Sequence, residues 1–376
     1  MKVILLAGGP SKGLRYVTGR DGSRSLVRLL GRTLLDKHME GLLKFTDEVY
    51  VVSDDSLVEQ HCRRYGAACR FVAQTVPGIE GAICSGLSAA RAEGLVTILY
   101  GDTFYEDGFL ATHMSKLISS YEPLITVTRP ILLRGRYLRL DVDPIDGHVV
   151  ATGKGAYVFA GLISLPAASA VENICRHGMS IHRFIDMLAS KRLMANIWLG
   201  TWLDLDTAWD YLVAVQLELQ RMKETRIAPD ARLGSGVVLE GPVYIDQGAR
   251  VDHYAVIKGP AYVGPRSLVG AHSFVRGSAV LDNAVIGAYA EVKRSVVYEA
   301  ARVGSHSYIA DSILGRGALA SPYTVTLNTP YTGVSGEIVI MTTQPLERLK
   351  IGAIIAAGAS TKPHTVTQPA VLYTGE

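Results

Sequence analysis

Two different periods of apolar and polar positions divide the chain. Through about residue 200, short apolar runs alternate with amphipathic ones. "KVILLA" (2–7), "EVYVVS" (48–53), "CRFVAQ" (69–74) and "LVTILYGD" (95–102) are rich in Val, Ile and Leu on both faces. That is the pattern of parallel strands buried on both sides. Between them, "LLDKHMEGLLKF" (34–45), "SLVEQHCRRYG" (56–66) and "GAICSGLSAARAEG" (81–94) read as helices. The β-α-β-α order predicts a doubly wound sheet with right-handed crossovers. Loops at the carboxyl ends of such strands carry function, which draws 8–15, 74–81 and 101–104 together.

From Ile227 the period changes. Ile227, Leu233, Leu239, Ile245, Val251, Ile257, Val263, Val269, Val275 and Leu281 follow one another at a spacing of six. Four residues after each stands a small or β-branched residue, from Ala231 to Val285. After one-residue slips the pattern continues through Ile286, Val292, Val297, Val303, Ile309 and Leu314. A period of six suits neither a heptad nor an alternating strand. It fits a parallel β-helix of triangular coils, each hexad forming one flat side, and the left-handed hexapeptide form is expected. Residues 204–223 predict a connector helix capped by Asp206 or Thr207. The expected division is an α/β, Rossmann-like domain with its connector over 1–223 and an all-β left-handed β-helix over 224–376. Within 321–376, "TGVSGEIVIM" reads as a hairpin and "IGAIIAAGASTKPHTVTQPAVLY" as resumed coils.

Composition narrows the partners. The 376 residues carry a net charge of only +3, which gives no electrostatic case for nucleic acid. No apolar run approaches the roughly 18 residues of a membrane span. The apolar core of "MKVILLAGG" is too short for a signal peptide. Cys62, Cys69, Cys84 and Cys175 have no CxxC spacing and no zinc-type histidine partners, and read as reduced thiols of a cytoplasmic protein.

The first strand ends in a glycine turn followed by cations, "LLAGGPSKGLR" (5–15). Glycine lets backbone N–H groups approach a phosphate closely. Lys12, Arg15 and Arg24 are candidates to neutralise charge on a transferred phosphoryl group. In "LYGDTF" (99–104), Asp102 stands at the end of a buried strand, where a carboxylate must be solvated, paired or metal-bound. "GTWLDLDTAWD" (200–210) supplies Asp204 and Asp206, with Asp204 the favoured second ligand of Mg²⁺. A plain turn at Gly8 and caps at the aspartates are the competing structural readings.

These residues resemble the sugar-1-phosphate nucleotidyltransferases. The whole chain is similar to archaeal and bacterial members that carry a C-terminal left-handed β-helix. In layout it looks most like the bifunctional N-acetylglucosamine-1-phosphate uridylyltransferase / glucosamine-1-phosphate acetyltransferase enzymes. The family's opening signature falls on "LAGGPSKGLRYVT" (6–18) and its P-K-x-L segment on "SRSLVRLLGRTL" (23–34). The base-reading glutamine and G-T-A segment fall on "QTVPGIEGA" (74–82), and the G-D metal motif on Gly101-Asp102. The W-L-D motif falls on Trp202-Leu203-Asp204.

The resemblance implies that Leu6, Ala7, Gly8, Gly9, Gln74 and Gly81 hold the nucleotide. It places Gly135 and Gly161 at the sugar, Lys154 at the sugar phosphate, and Mg²⁺ on Asp102 and Asp204. The reaction implied joins a nucleoside triphosphate, UTP or dTTP, to a hexose- or N-acetylhexosamine-1-phosphate. Gly13 replaces the arginine of the family's G-T-R, Ser23 and Arg24 replace its P-K, and Gly153 replaces the glutamate before Lys154. These departures support an alternative, a lapsed homologue serving as a binding, regulatory or assembly subunit. A second alternative is an acetyl-CoA-dependent sugar-phosphate acetyltransferase using His306, Tyr308, Asn328 and Lys350. Here His306 stands one residue late, and a slip of one turns a strand side chain to the other face. A homo-oligomer is expected, a trimer through the β-helix.

Overall fold

The computed structural model describes residues 2–9, 11–130, 137–329 and 350–375. The chain divides into two compact units. One contains Met1–Pro10, Gly22–Val27 and Leu34–Leu205; the other contains Ser11–Asp21, Arg28–Thr33 and Asp206–Glu376. Each is described by itself.

The first unit is built on β1 (Lys2–Leu6), β2 (Val49–Ser53), β3 (Cys69–Ala73), β4 (Leu95–Tyr100), β5 (Thr103–Tyr105), β6 (Leu124–Thr128), β7 (Arg139–Val142), β8 (Val149–Thr152), β9 (Tyr157–Pro166), β10 (Met194–Trp198) and β11 (Trp202–Asp204). The main sheet runs β10-β6-β9-β4-β1-β2-β3, with β7 and β8 attached beside β9. β1 to β4 pair in parallel, as their apolar runs require, while β9 lies antiparallel between β4 and β6. Alternate residues of β1 feed opposite cores. Ile4 packs with Ala82, Ile83 and Leu87, whereas Val3 and Leu5 pack with Leu35, Met39 and Leu42. Apolar side chains on both faces exclude water from both sides of the sheet.

The cysteines correct the expectation of reduced thiols. Cys62 is bonded to Cys69 and Cys84 to Cys175, with Cα separations of 5.4 and 5.6 Å, inside the range a disulfide spans. Folding juxtaposes a helix end with the start of β3, and helix Ile79–Ala90 with the helical segment Val171–Arg176. No sequence spacing announces either pairing, and the thiols give no argument for a reducing compartment.

In the second unit three parallel sheets of eight, six and seven short strands form the sides of a β-helix, consistent with the left-handed form. Val251, Ile257, Val263, Val269 and Val275 fill its interior with small residues such as Ala249 and Ala255. Ile227 and Leu233 are 44% and 42% exposed, because they belong to the terminal coil. The spacing of six ends at Val275. Val263 pairs with Val280, not Leu281, and Val280 takes the interior position. Leu281 is buried but stands outside that interior cluster.

The coils resume at Ile354–Ile355, Val366–Thr367 and Leu372–Tyr373, while the hairpin expected at 332–341 lies outside the described residues. Helix Ala208–Gln220 is capped by Thr207, whose hydroxyl accepts from Asp210 N while the Asp210 carboxylate accepts from Thr207 N. This reciprocal pair satisfies two otherwise orphaned donors. Among the described residues no helix is long and apolar enough to cross a membrane.

Candidate nucleotide site

The carboxyl ends of β1 to β4 gather a compact set of groups in the first unit. Leu6 O accepts from Gly101 N (2.9 Å), and Ala7 O accepts from Ser53 Oγ (3.0 Å) and from Ser23 Oγ. These bonds join the ends of β1, β2 and β4. Gly101 permits the junction, since a Cβ there would lie 2.7 Å from Leu6 O. Gly8 and Gly9 then turn the chain. A Cβ on Gly8 would come within 2.6 Å of Gln74 Oε1; one on Gly9, at φ +94°, would meet nothing within 4 Å. Gly9 is therefore an open edge of backbone, and its N–H donates to Asp54 Oδ1 at 3.3 Å.

Gln74 holds its own loop: Nε2 donates to Val76 O (2.8 Å) and Gly78 O (2.9 Å). Gly81 allows that loop to close on helix Ile79–Ala90, because a Cβ would lie 2.1 Å from Val76 O. The structure thus gives Gln74 and Gly81 work in shaping the 74–81 loop.

Asp102 follows β4 and is ion-paired to Arg24, Nη2 to Oδ2 at 2.5 Å, with both side chains about one-fifth exposed. Antiparallel β5 and β11 set Asp204 opposite Thr103, and Leu205 N donates to Asp102 O at 2.9 Å. The two aspartates are thereby neighbours along paired backbone, although they are 102 positions apart in sequence. Gly161, at φ +75°, marks the irregularity where β6 and β9 shift register, and a Cβ there would meet Thr103 Cγ2 at 2.7 Å. Lys154 is exposed in the turn between β8 and β9, and Gly135 lies outside the described residues.

Several contributors escaped the sequence reading. Asp54, which follows β2, was not among the candidates; its neighbour Asp55 caps helix Ser56–Cys62 through Leu57 N (2.9 Å). Asp55 also accepts from Ser23 N at 2.8 Å, which ties the Arg24 segment to β2. Beneath Asp102, fully buried His38 stands 3.2 Å from Gly101 O through Nε2 and 2.8 Å from Tyr105 Oη through Nδ1. The carbonyl can only accept, so Nε2 carries the proton and Nδ1 accepts from the phenol. Burial lowers the His38 pKa to about 3, so the ring is neutral. The Tyr100 phenol is pushed well up, by burial first and then by the charges of Asp102 and Glu80.

Lys12 and Arg15 fold with the second unit. Lys12 is exposed, and Arg15 lies over the Tyr16 ring at 4.9 Å and donates to its hydroxyl at 2.8 Å. That hydrogen bond raises the Arg15 pKa. The segment is bonded to β-helix coils, Arg316 N donating to Val17 O and Ala357 N to Tyr16 O, each at 2.7 Å. Gly13 is wedged: a Cβ would lie 1.9 Å from Asp206 O. Gly13→Ala is therefore expected to lower stability by about 2–3 kcal/mol, since backbone must move to admit the methyl group. Thermal denaturation reads this, and an unchanged melting temperature refutes the wedge.

The residues considered for acetyl transfer are dispersed in their bonding. His306 is an exposed ring stacked between Tyr289 and Tyr323. The Lys293 ammonium lies 5.1 Å from the Tyr308 ring centre. Asn328 Nδ2 donates to Asp311 Oδ2 at 2.5 Å, and Asp311 also receives both arms of Arg294 at 2.6 Å. Lys350 is exposed.

Residues 3–145 match the model of the MobA-like NTP transferase domain, and residues 239–332 match the GMPPB C-terminal domain. The first unit has a nucleotidyltransferase fold. Among solved structures, the chain is similar to the UDP-glucose pyrophosphorylase from Acinetobacter baumanii. The TM-score is 0.50 at 16% identity, covering 58% of this chain and 94% of that one. At that identity the likeness speaks for the fold of the nucleotidyltransferase domain alone. A protein from Bacillus anthracis assigned as a glucose-1-phosphate thymidylyltransferase, solved with sucrose, gives a TM-score of 0.49 at 14% identity, with the same coverage of both chains. No curated protein matches.

Proposed function

We propose that the protein is a sugar-1-phosphate nucleotidyltransferase, with UTP or dTTP and a hexose- or N-acetylhexosamine-1-phosphate as substrates. An oxygen of the sugar phosphate attacks the α-phosphorus; a new P–O bond forms, the α–β bridging bond breaks, and pyrophosphate leaves. Such a transfer depends on positioning and charge neutralisation. The observation that carries the reading is Asp102 at the end of β4. It is held by Arg24 and set beside Asp204 by paired backbone, in the same unit as the Gly8–Gly9 turn. Two carboxylates completed by phosphate oxygens suit Mg²⁺, which dehydrates reluctantly and takes few protein ligands. When bound, Mg²⁺ would neutralise phosphate charge; Asp102 and Asp204 are the residues to hold it. Arg24 then has a second anionic group within its reach, the triphosphate.

One observation favours the alternative of a lapsed binding or regulatory subunit. Gly13 replaces the arginine of the family signature, and the Asp206 carbonyl leaves no room for any side chain there. Incubation of the purified protein with each nucleoside triphosphate, a panel of sugar-1-phosphates and Mg²⁺ separates the two. Pyrophosphate release is expected with at least one pair. Nucleotide binding without release from any pair selects the lapsed reading.

A further inference from the structure

One edge of the β-helix carries a column of six exposed rings in strict alternation: Tyr254, His272, Tyr289, His306, Tyr323 and His364. Centroids are 4.7–5.1 Å apart, and neighbouring planes lie within 18° of parallel. All six residues adopt the left-handed conformation, with φ between 57° and 62°. Their stacked faces cover one another, so ring edges, with phenol and imidazole polar atoms, face outward. No hydrogen bond to any of these side chains occurs among the described residues.

Two positions after each ring, the adjoining sheet presents a second outward column: Val256, Phe274, Glu291, Tyr308, Val325 and Val366. Five of these six are apolar or aromatic, and Glu291 is the single charge.

An alternating column of even length is complementary to its own reverse. We propose that this edge and the adjoining sheet face bind a second copy of the chain, antiparallel about a two-fold axis. In that alignment Tyr254 meets His364, His272 meets Tyr323 and Tyr289 meets His306, so every phenol donor faces an imidazole acceptor. The second column obeys the same operation. Val256 meets Val366, Phe274 meets Val325, and the lone carboxylate of Glu291 meets the Tyr308 hydroxyl. A parallel two-fold reverses the lateral order of the two columns, so only one of them can meet itself; with the axis through the rings it sets phenol on phenol and imidazole on imidazole and leaves the second columns unopposed. The strip is about 25 Å long and about 17 Å wide, from six rungs and about five residues per side. That is below the roughly 800 Å² per partner of a standard interface, the size class of weak or transient association.

Sedimentation equilibrium of the full chain tests the proposal. The wild type is expected to form a dimer of twice 40.5 kDa, in weak, reversible association. The double variant His272→Glu, Tyr323→Glu opposes carboxylates in the antiparallel alignment and is expected to raise the dissociation constant at least tenfold. His272→Glu, Tyr323→Lys opposes unlike charges and is expected to stay within about threefold of wild type. Under a parallel alignment residue 272 meets itself, so both variants weaken alike. Circular dichroism checks that the coils stay folded. Glu291→Gln with Tyr308→Phe gives an independent probe, expected to weaken dimers several-fold. A monomeric or trimeric wild type, an unaffected Glu/Glu variant, or equal weakening of both charge variants overturns the proposal.

Discussion

Asp102→Asn is expected to reduce pyrophosphate release by about 10²–10³-fold, the loss seen when one preorganised electrostatic group is removed from a transfer site. The change is nearly isosteric, so β4 and the backbone bond from Leu205 to Asp102 stay in place. What disappears is a charge that now balances Arg24 at 2.5 Å. Breaking a pair that is four-fifths buried leaves one charge uncompensated, so some stability is lost as well, of the order of 1–3 kcal/mol. Kinetics must therefore be read at a temperature where the variant is folded. Asp204→Asn is expected to show a similar loss, and the double variant little more than either single one, because groups acting as a unit are not additive. Multiplying losses would show that the aspartates act separately. An unchanged rate in either single variant would falsify the shared role.

The β-helix was legible because each flat side must turn an apolar residue inward, and that demand repeats every six positions whatever the surface does. The slip after Val275 was not legible, since Val280 and Leu281 are adjacent and both apolar; only pairing with Val263 distinguishes them. The strands of the first unit were legible for the same reason as the hexads: burial on both faces leaves continuous apolar runs.

The site was legible in part. Asp102 stands out because a carboxylate follows a buried strand. Asp54 does not, because the adjacent Asp55 supplies a sufficient capping explanation for both. His38 was illegible, since nothing local marks a histidine in a helix as lying under a loop that arrives 63 residues later. The disulfides and the ring column share that limit: both depend on which distant positions folding makes neighbours. The rings Tyr254, His272 and Tyr289 recur at 18 and 17 residues, one per full coil, a period three times longer than that of the inward positions and so masked by it.

Acid is expected to unfold the first unit well above the usual carboxylate range. His38 and His113 are fully buried, and burial lowers each pKa to about 3 from an ordinary 6.5. His113 lies between Thr126 Oγ1 and Ser164 Oγ, each at 2.8 Å, and among the described residues no carboxylate bonds to it to stabilise an imidazolium. Above pH 6.5 both rings are neutral in the folded and unfolded chain, and stability is complete. Between pH 6.5 and 3 the unfolded chain binds a proton on each ring that the folded chain refuses. Stability then falls by about 1.4 kcal/mol per pH unit for each histidine, about 3 for the pair. At that slope, a domain of ordinary stability, roughly 5–15 kcal/mol, loses a large share by pH 4.5. Urea unfolding measured from pH 7 to 4.5 checks the slope. His113→Gln is expected to halve it, since an amide can serve both hydroxyls without titrating. A stability that stays level across this interval would show that neither ring is held neutral by burial. Because His38 also donates to the carbonyl before Asp102, loss of activity is expected to track the same decline in pH, with the Asp102 loop released as the fold fails.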